Sequence, residues 1–392
     1  NIVTQVIVLR LINVALGVIT LFLLWKLLKL LRISSALANV ILVAFAFTPL
    51  VGDLFAQISY DNLLLPAVLV CTYETIVLTR QLRRGSFDSR AGLLLLAFCL
   101  FASLIKYAFL PIFAGIVVLV GWGVVSSWRT DAAGLMATAR KTFAAISGRA
   151  KLALLAACLL SLGLCIKMYG VNLVRYHTPV PQCNQVLNAR DCHHYYAWDY
   201  NYRVKSYNQA HHTARMSLLH YTGIWITINL SEPFVALIPL IATPTYTFPV
   251  YLIAVWLLGT LAFACTVVNF KKLLQNRDLL ALTFISFVYI CSLWARNYHD
   301  FLRMGQPVAL HARYLLPVLV YLYILLAVGV HSGLDGLRQH MALAAKTALA
   351  LVLIVTFVCG GGFVQYVHYI YPRYGRLGPS NGFELLDASQ YQ

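Results

Sequence analysis

The chain has 392 residues, 60% of them hydrophobic and only 11% charged, with a formal net charge of +17. Soluble domains carry roughly a quarter charged residues, so this composition excludes a string of water-soluble domains and requires lipid to cover much of the surface. The basic residues are dispersed between apolar stretches with no soluble basic face, which argues against nucleic acid as a partner. The positive excess reads instead as topological, because Lys and Arg retain loops on the cytoplasmic side and attract anionic headgroups.

Apolar runs near the roughly 20 residues that a bilayer requires predict an all-α, polytopic transmembrane bundle of about ten spans. In chain order they are 2–25, 34–51, 62–79, 91–105, 107–126 and 152–170, which makes 1–170 an N-terminal bundle of six spans. Residues 171–221 differ: with two His-His pairs, seven tyrosines and several charges they read as an aqueous loop with some structure of its own. The stretch 222–246, broken by Pro233, Pro239 and Pro244, reads as a re-entrant or interfacial element, so 171–246 forms one unit. Four more spans, 247–269, 279–295, 313–331 and 342–362, make the C-terminal bundle 247–362, and a polar tail covers 363–392.

Charge sets the orientation. With Asn1 outside, the loops at 26–32, 80–90, 127–151, 271–277 and 332–346 are all cytoplasmic, and they hold 17 of the 30 Lys and Arg residues. The long loop 171–221 and the tail are then extracytoplasmic, as expected for a multi-pass protein of a bacterial inner membrane. The chain begins with Asn1 and has no basic n-region or cleavage site. A further span is therefore expected upstream, giving eleven spans and a cytoplasmic start.

Of nine cysteines, seven lie in apolar runs and read as small core residues. Cys183 and Cys192 lie in the polar loop, where a disulfide fits an oxidising compartment. Their spacing is not a zinc signature.

Charge within the membrane costs about 2.5–3.5 kcal/mol on insertion scales, so ionisable residues at span ends on one side deserve weighing as a group. Asp53 and Asp61 flank a short, polar outer loop with Gln57, Ser59, Tyr60 and Asn62. A carboxylate there is a candidate catalytic base or a ligand for a divalent metal; the plainer reading is a helix cap, with Asp61 as N-cap. Lys106, between two apolar runs at the outer interface, either binds a lipid phosphate or snorkels. Arg313 opens the ninth span and suits bidentate phosphate recognition, with Tyr314 able to stack beside it or to join an aromatic belt. Arg296 and Arg303 share that outer loop and, with Lys106, would make a cationic mouth for an anionic substrate. His193, His194, His211 and His212 read as solvent-facing, since neighbouring histidines diverge; no metal site is assigned. Tyr195, Tyr196, Trp198, Tyr200 and Tyr202 form either a sugar-binding surface or a cover at the membrane interface.

Four segments together carry a family likeness: Gln57-Ile58-Ser59-Tyr60-Asp61-Asn62, Lys106 before Tyr107-Ala108-Phe109-Leu110-Pro111, Pro181-Gln182-Cys183 with Cys192, and Ala312-Arg313-Tyr314-Leu315-Leu316-Pro317. Over residues 1 to about 362 the chain resembles a bacterial family of predicted membrane proteins of unknown function that is grouped with the GT-C fold glycosyltransferases. The resemblance implies transfer of a sugar from a polyprenyl-phosphate carrier at the extracytoplasmic face, with Lys106 and Arg313 at the lipid phosphate. Such enzymes place a catalytic carboxylate in the first outer loop, which here would precede Asn1; Asp61 matches the family's Ser-Tyr-Asp segment. A non-catalytic membrane subunit bound to a membrane-protein partner is the second reading. A transporter or flippase of anionic lipid ranks third, because few polar residues reach the middle of the spans and no inverted repeat is evident.

Overall fold

A computed structural model of the chain describes residues 2–210, 216–234, 249–305, 307, 310–334 and 339–359. Every regular element among them is helical. The tail 363–392, the histidines His211 and His212, and residues 235–246 of the expected re-entrant element lie outside the described residues.

The first half comprises α1 (Ile2–Leu30), α2 (Ser35–Ala46), α3 (Pro49–Ala56), α4 (Asp61–Leu82), α5 (Ser89–Ile105), α6 (Leu110–Ala145) and α7 (Gly148–Cys165). A π-helical turn, Ile166–Gly170, joins α7 to α8 (Val171–Tyr176). The polar loop folds into α9 (Cys183–Val186), α10 (Ala189–Cys192) and α11 (Tyr196–Ala210). Then come α12 (Leu218–Ser231), α13 (Pro249–Val268), α14 (Phe270–Gln275), α15 (Arg277–Met304), α16 (Leu316–Leu334) and α17 (Gln339–Cys359). Short 3-10 turns occupy Tyr107–Phe109, Glu232–Phe234 and Ala312–Tyr314.

Among the described residues six helices are long and apolar enough to cross a membrane, or seven if the bent pair α2–α3 is one span. The apolar stretches Ser89–Ile105 and Ile253–Val268 are helical but shorter. Two boundaries differ from expectation. The sixth apolar stretch continues to Tyr176 instead of ending at 170, and it stops where His177 takes a left-handed conformation (φ 57°). The linker 127–151 is largely helical: the backbone of α6 breaks at Asp131 (φ −153°, ψ 85°), whose carboxylate accepts the Gly134 N–H at 2.8 Å and so starts a new helix. That second segment docks on the start of α5, where the Ser89 N–H donates to the Thr142 hydroxyl at 3.0 Å and the Ser89 hydroxyl donates to the Ala139 carbonyl at 2.7 Å.

Burial separates the centre from the periphery. The most apolar window of α4 is 67% buried, against 11% for α1 and for the α7–α8 rod. The centre is α4, packed against α1, α5, α6, α15 and α16. Leu64, Leu69, Ile112, Leu282, Val318 and Ile324 are almost inaccessible there. Peripheral side chains such as Leu11, Leu159, Leu160 and Val174 are more than half exposed. Water cannot cover so many contiguous apolar side chains without large cost, which is consistent with a multi-pass membrane protein.

The two ends of the bundle carry different chemistry. At one end Asp278 accepts from Arg80 (2.7 Å) and Arg83 (2.8 Å), and Arg80 also donates to the Leu30 carbonyl at the end of α1. Lys26, Lys29 and Arg32 belong to this end by chain position. At the other end of α4 lies Asp61.

Candidate functional site

Asp61 is the first residue of α4, and Lys106 is the break between α5 and the following 3-10 turn. The extended backbone of Lys106 (φ −154°, ψ 128°) interrupts the helical path, so its side chain turns back into the bundle. Its Nζ meets the Asp61 carboxylate at 2.6 Å, and both side chains are about nine-tenths buried, at 9% and 8% exposure. The helix-cap reading of Asp61 is therefore corrected: Tyr60 holds the N-cap position, the Ser59 hydroxyl accepts the Asp61 N–H at 3.2 Å, and the Asp61 carboxylate is used by Lys106. Asp61 at the first helical position is also favoured by the helix dipole.

Two aromatic rings enclose the ammonium. Lys106 Nζ lies 5.0 Å from the Tyr314 ring centre and 5.5 Å from that of Tyr60, within reach of a cation–π attraction. Arg313 comes from the turn before α16, 5.3 Å above the Tyr314 ring. Partial burial works against its charge, but the Tyr314 hydroxyl and the nearby Asp61 carboxylate outweigh this and raise its pKa, so it is a permanent cation. Arg313 is exposed and has no carboxylate within ion-pair distance among the described residues. Asp61, Lys106, Arg313 and Tyr314 surround a space of about 10 Å³, room for about one water. Asp61 and Lys106 balance each other, so Arg313 leaves the group with one net positive charge.

The turn that carries Arg313 is held from two sides. Tyr289 of α15 donates its hydroxyl to the Tyr314 carbonyl. On the other side the buried carboxylate of Glu232 accepts the Ala312 N–H and lies 3.1 Å from His311 Nδ1. Residue-by-residue reading passed over Glu232, although a lone carboxylate in an apolar, proline-broken stretch is the kind of signal that marks a functional or structural site in a membrane. Glu232→Gln keeps the side-chain shape but places an amide against His311. The expected result is normal expression with stability lowered by about 1.5–3 kcal/mol, as one charge-assisted bond is lost; thermal unfolding of the purified variant checks it.

The start of α4 is fixed by Asn62. Its amide donates to Asn13 of α1 (2.8 Å) and to the Leu54 and Gln57 carbonyls (2.7 and 3.0 Å). The polar segment 57–62 is thus partly a device for seating Asp61. Asp53 falls within α3 and not in an open loop; its side chain lies outside the described residues.

Arg296 and Arg303 do not join Lys106. They line a second, larger cleft of about 540 Å³ between the outer part of α15, the α9 loop and α11. Arg296 pairs with Asp300 at 3.1 Å and Arg303 donates to the Gln182 side chain at 2.7 Å. The single cationic mouth is corrected accordingly: successive arginines on one helix, seven residues apart, reach the same cleft, whereas Lys106 is claimed by Asp61. Tyr107 is within electrostatic reach of both groups, of Tyr60 and Tyr314 on one side and of Arg296 and Asp300 on the other.

The walls of this cleft are braced. Cys183 and Cys192 are joined in a disulfide, with Cα atoms 5.8 Å apart. Asn208 of α11 donates to the Met304 carbonyl at 2.8 Å, against Gly305, whose φ of 80° closes α15. Trp198 and Tyr202 stack at 5.2 Å with His193 edge-on to both. His193 bonds Asp199 at 2.6 Å and, with Arg203 at 2.8 Å, holds that carboxyl below its ordinary 3.8. A carboxyl so depressed contributes stability that is complete above its ordinary value and is lost as pH falls through the depressed one. The near-ultraviolet circular dichroism of the Trp198–Tyr202 stack is therefore expected to hold from neutrality down to about pH 4 and to fall below it, with no such acid step in Asp199→Asn.

Tyr195 also lines the cleft, whereas Tyr196 and Tyr200 stack on each other at 6.2 Å. Among the described residues no three His, Cys, Asp or Glu side chains are gathered as a metal site. No family model, curated protein or solved structure matches the chain.

Proposed function

We propose that the chain is a polytopic protein of about ten spans in a bacterial inner membrane, built on GT-C lines, which takes a polyprenyl-phosphate-linked sugar and transfers the sugar to an envelope glycan at the extracytoplasmic face. The observation that carries this reading is the meeting of Lys106, Asp61 and Arg313 at one end of the bundle, opposite Arg80, Arg83 and Asp278. The basic loops assign that opposite end to the cytoplasm, so the Arg313 end and loop 171–221 face outward.

In this reading Arg313 holds the donor phosphate by paired N–H groups, and Lys106 adds a second cation. The phosphate competes with Asp61 for the ammonium. Once Lys106 turns to it, the carboxylate is free to accept the proton of an acceptor hydroxyl. That oxygen bonds to the anomeric carbon, and the bond from that carbon to the phosphate oxygen breaks. The electron pair leaves on the polyprenyl phosphate, where the two cations stabilise it. With room for about one water, the space beside Lys106 does not hold a phosphate as it stands, so in this reading the phosphate meets the exposed Arg313 first and Lys106 then turns out to it. Nanodiscs containing a long-chain polyprenyl phosphate, set against nanodiscs with an uncharged polyprenol, test the first step: saturable binding of the phosphate alone supports the reading, and equal retention of both lipids overturns it.

The weak burial of α1 and the α7–α8 rod favours a second reading, a non-catalytic subunit whose bare helices meet a membrane-protein partner. Constant co-purification with one membrane protein and no retained lipid phosphate would select it.

A further inference from the structure

We infer that the cleft between α11, the disulfide loop and the outer part of α15 binds an acidic saccharide, one bearing carboxylate or similar anionic groups. The inference deepens the half of the proposed function that concerns a sugar and does not depend on the half that concerns the lipid phosphate.

Three features of the cleft point the same way. Its volume, about 540 Å³, falls within the roughly 300–1,000 Å³ of ordinary ligand sites. Its wall combines aromatic surface with amides: Trp198, Tyr202 and Tyr195 line it together with Asn201, Asn184 and Gln182, whose side chains are donors and acceptors. Sugars present this pairing, with C–H faces that lie on aromatic rings and hydroxyls that bond amides.

Charge then selects among sugars. Lys205, Arg296 and Arg303 line the cleft against one carboxylate, Asp300, which Arg296 already engages. Lys205 has no carboxylate within ion-pair distance among the described residues, and Arg303 is bonded only to the neutral Gln182 amide. Among the described residues these two cations in a concave site thus lack counter-charge, which raises the local concentration of anions and favours anionic over neutral ligands. The shape is preformed: the disulfide closes the α9–α10 hairpin on itself, and the Asn208–Met304 and Arg303–Gln182 bonds tie α11 and that hairpin to α15.

Calorimetric titration of the full chain in nanodiscs with a trimer of galacturonic acid, and separately with the neutral maltotriose, tests this. The acidic trimer is expected to bind about tenfold more tightly. In Lys205→Gln/Arg303→Gln the difference should shrink to about twofold while helix content stays unchanged. Because Arg303 also braces a wall, Lys205→Gln alone serves as the second variant and should lower the preference severalfold. Equal affinity for the two trimers, binding of neither, or an undiminished preference in both variants overturns the inference. Arg313→Ala, titrated in parallel with polyprenyl phosphate and with the acidic trimer, should lose only the lipid, so each reading can fail without the other.

Discussion

Replacing Lys106 by Met is expected to destabilise the protein by about 3–5 kcal/mol, because it strands the Asp61 carboxylate in a site from which water is nearly excluded. Both partners are about nine-tenths buried, so solvent screening does little to soften the loss. Replacing both, as Asp61→Leu with Lys106→Met, should restore most of the stability, since two apolar side chains leave no charge behind. Thermal unfolding of the detergent-solubilised single and double variants, read by a shift in Tm, measures the difference. A double variant that regains the fold but binds no polyprenyl phosphate would place the pair in the ligand site. One that regains both fold and binding would make it a structural tie alone.

Arg313→Ala is expected to weaken polyprenyl-phosphate binding by about tenfold to a hundredfold, from the roughly 1.5–3 kcal/mol of a charge-assisted hydrogen bond. Stability should change little, because Arg313 is exposed and its contacts among the described residues are weak, a 3.5 Å approach to the Tyr314 hydroxyl and a place 5.3 Å from that ring's centre. Arg313→Lys should recover only part of the affinity: a lysine restores the charge without the planar pair of donors. Titration in nanodiscs distinguishes the three forms. Full affinity in Arg313→Ala would remove the central support for lipid-phosphate recognition.

The apolar helices were legible in the sequence because runs of Leu, Val, Ile and Ala of bilayer length have no other stable form in lipid. What escaped was local backbone chemistry. The helix after Asp131 looked like a linker, since Arg129, Arg140, Lys141, Arg149 and Lys151 make the stretch basic; its stability comes from a cap and from docking on Ser89, neither visible as hydropathy. The helix Val171–Tyr176 was assigned to the loop because Asn172 and Arg175 are polar, yet a π-turn carries the preceding helix straight into it. At the site, the gathering of Asp61, Lys106 and Arg313 followed from parity of the spans. The partition of the arginines did not, because it depends on how far α15 extends beyond the apolar stretch. Nor did the clamp by Glu232, which rests on two bonds between segments 79 and 80 residues apart.

The rod formed by α7, its π-turn and α8 spans 148–176, which at about 1.5 Å per residue reaches roughly 43 Å. A hydrocarbon core is about 30 Å thick, so an upright rod must emerge well past it. A rod that emerges at its Tyr176 end, as the proposed topology requires, would hold the disulfide hairpin that follows it clear of the fatty acyl chains. On the proposed function a tether of this length would act as a ruler: shortening it by two turns within Leu152–Leu164 is expected to draw the aromatic cleft down toward the headgroups.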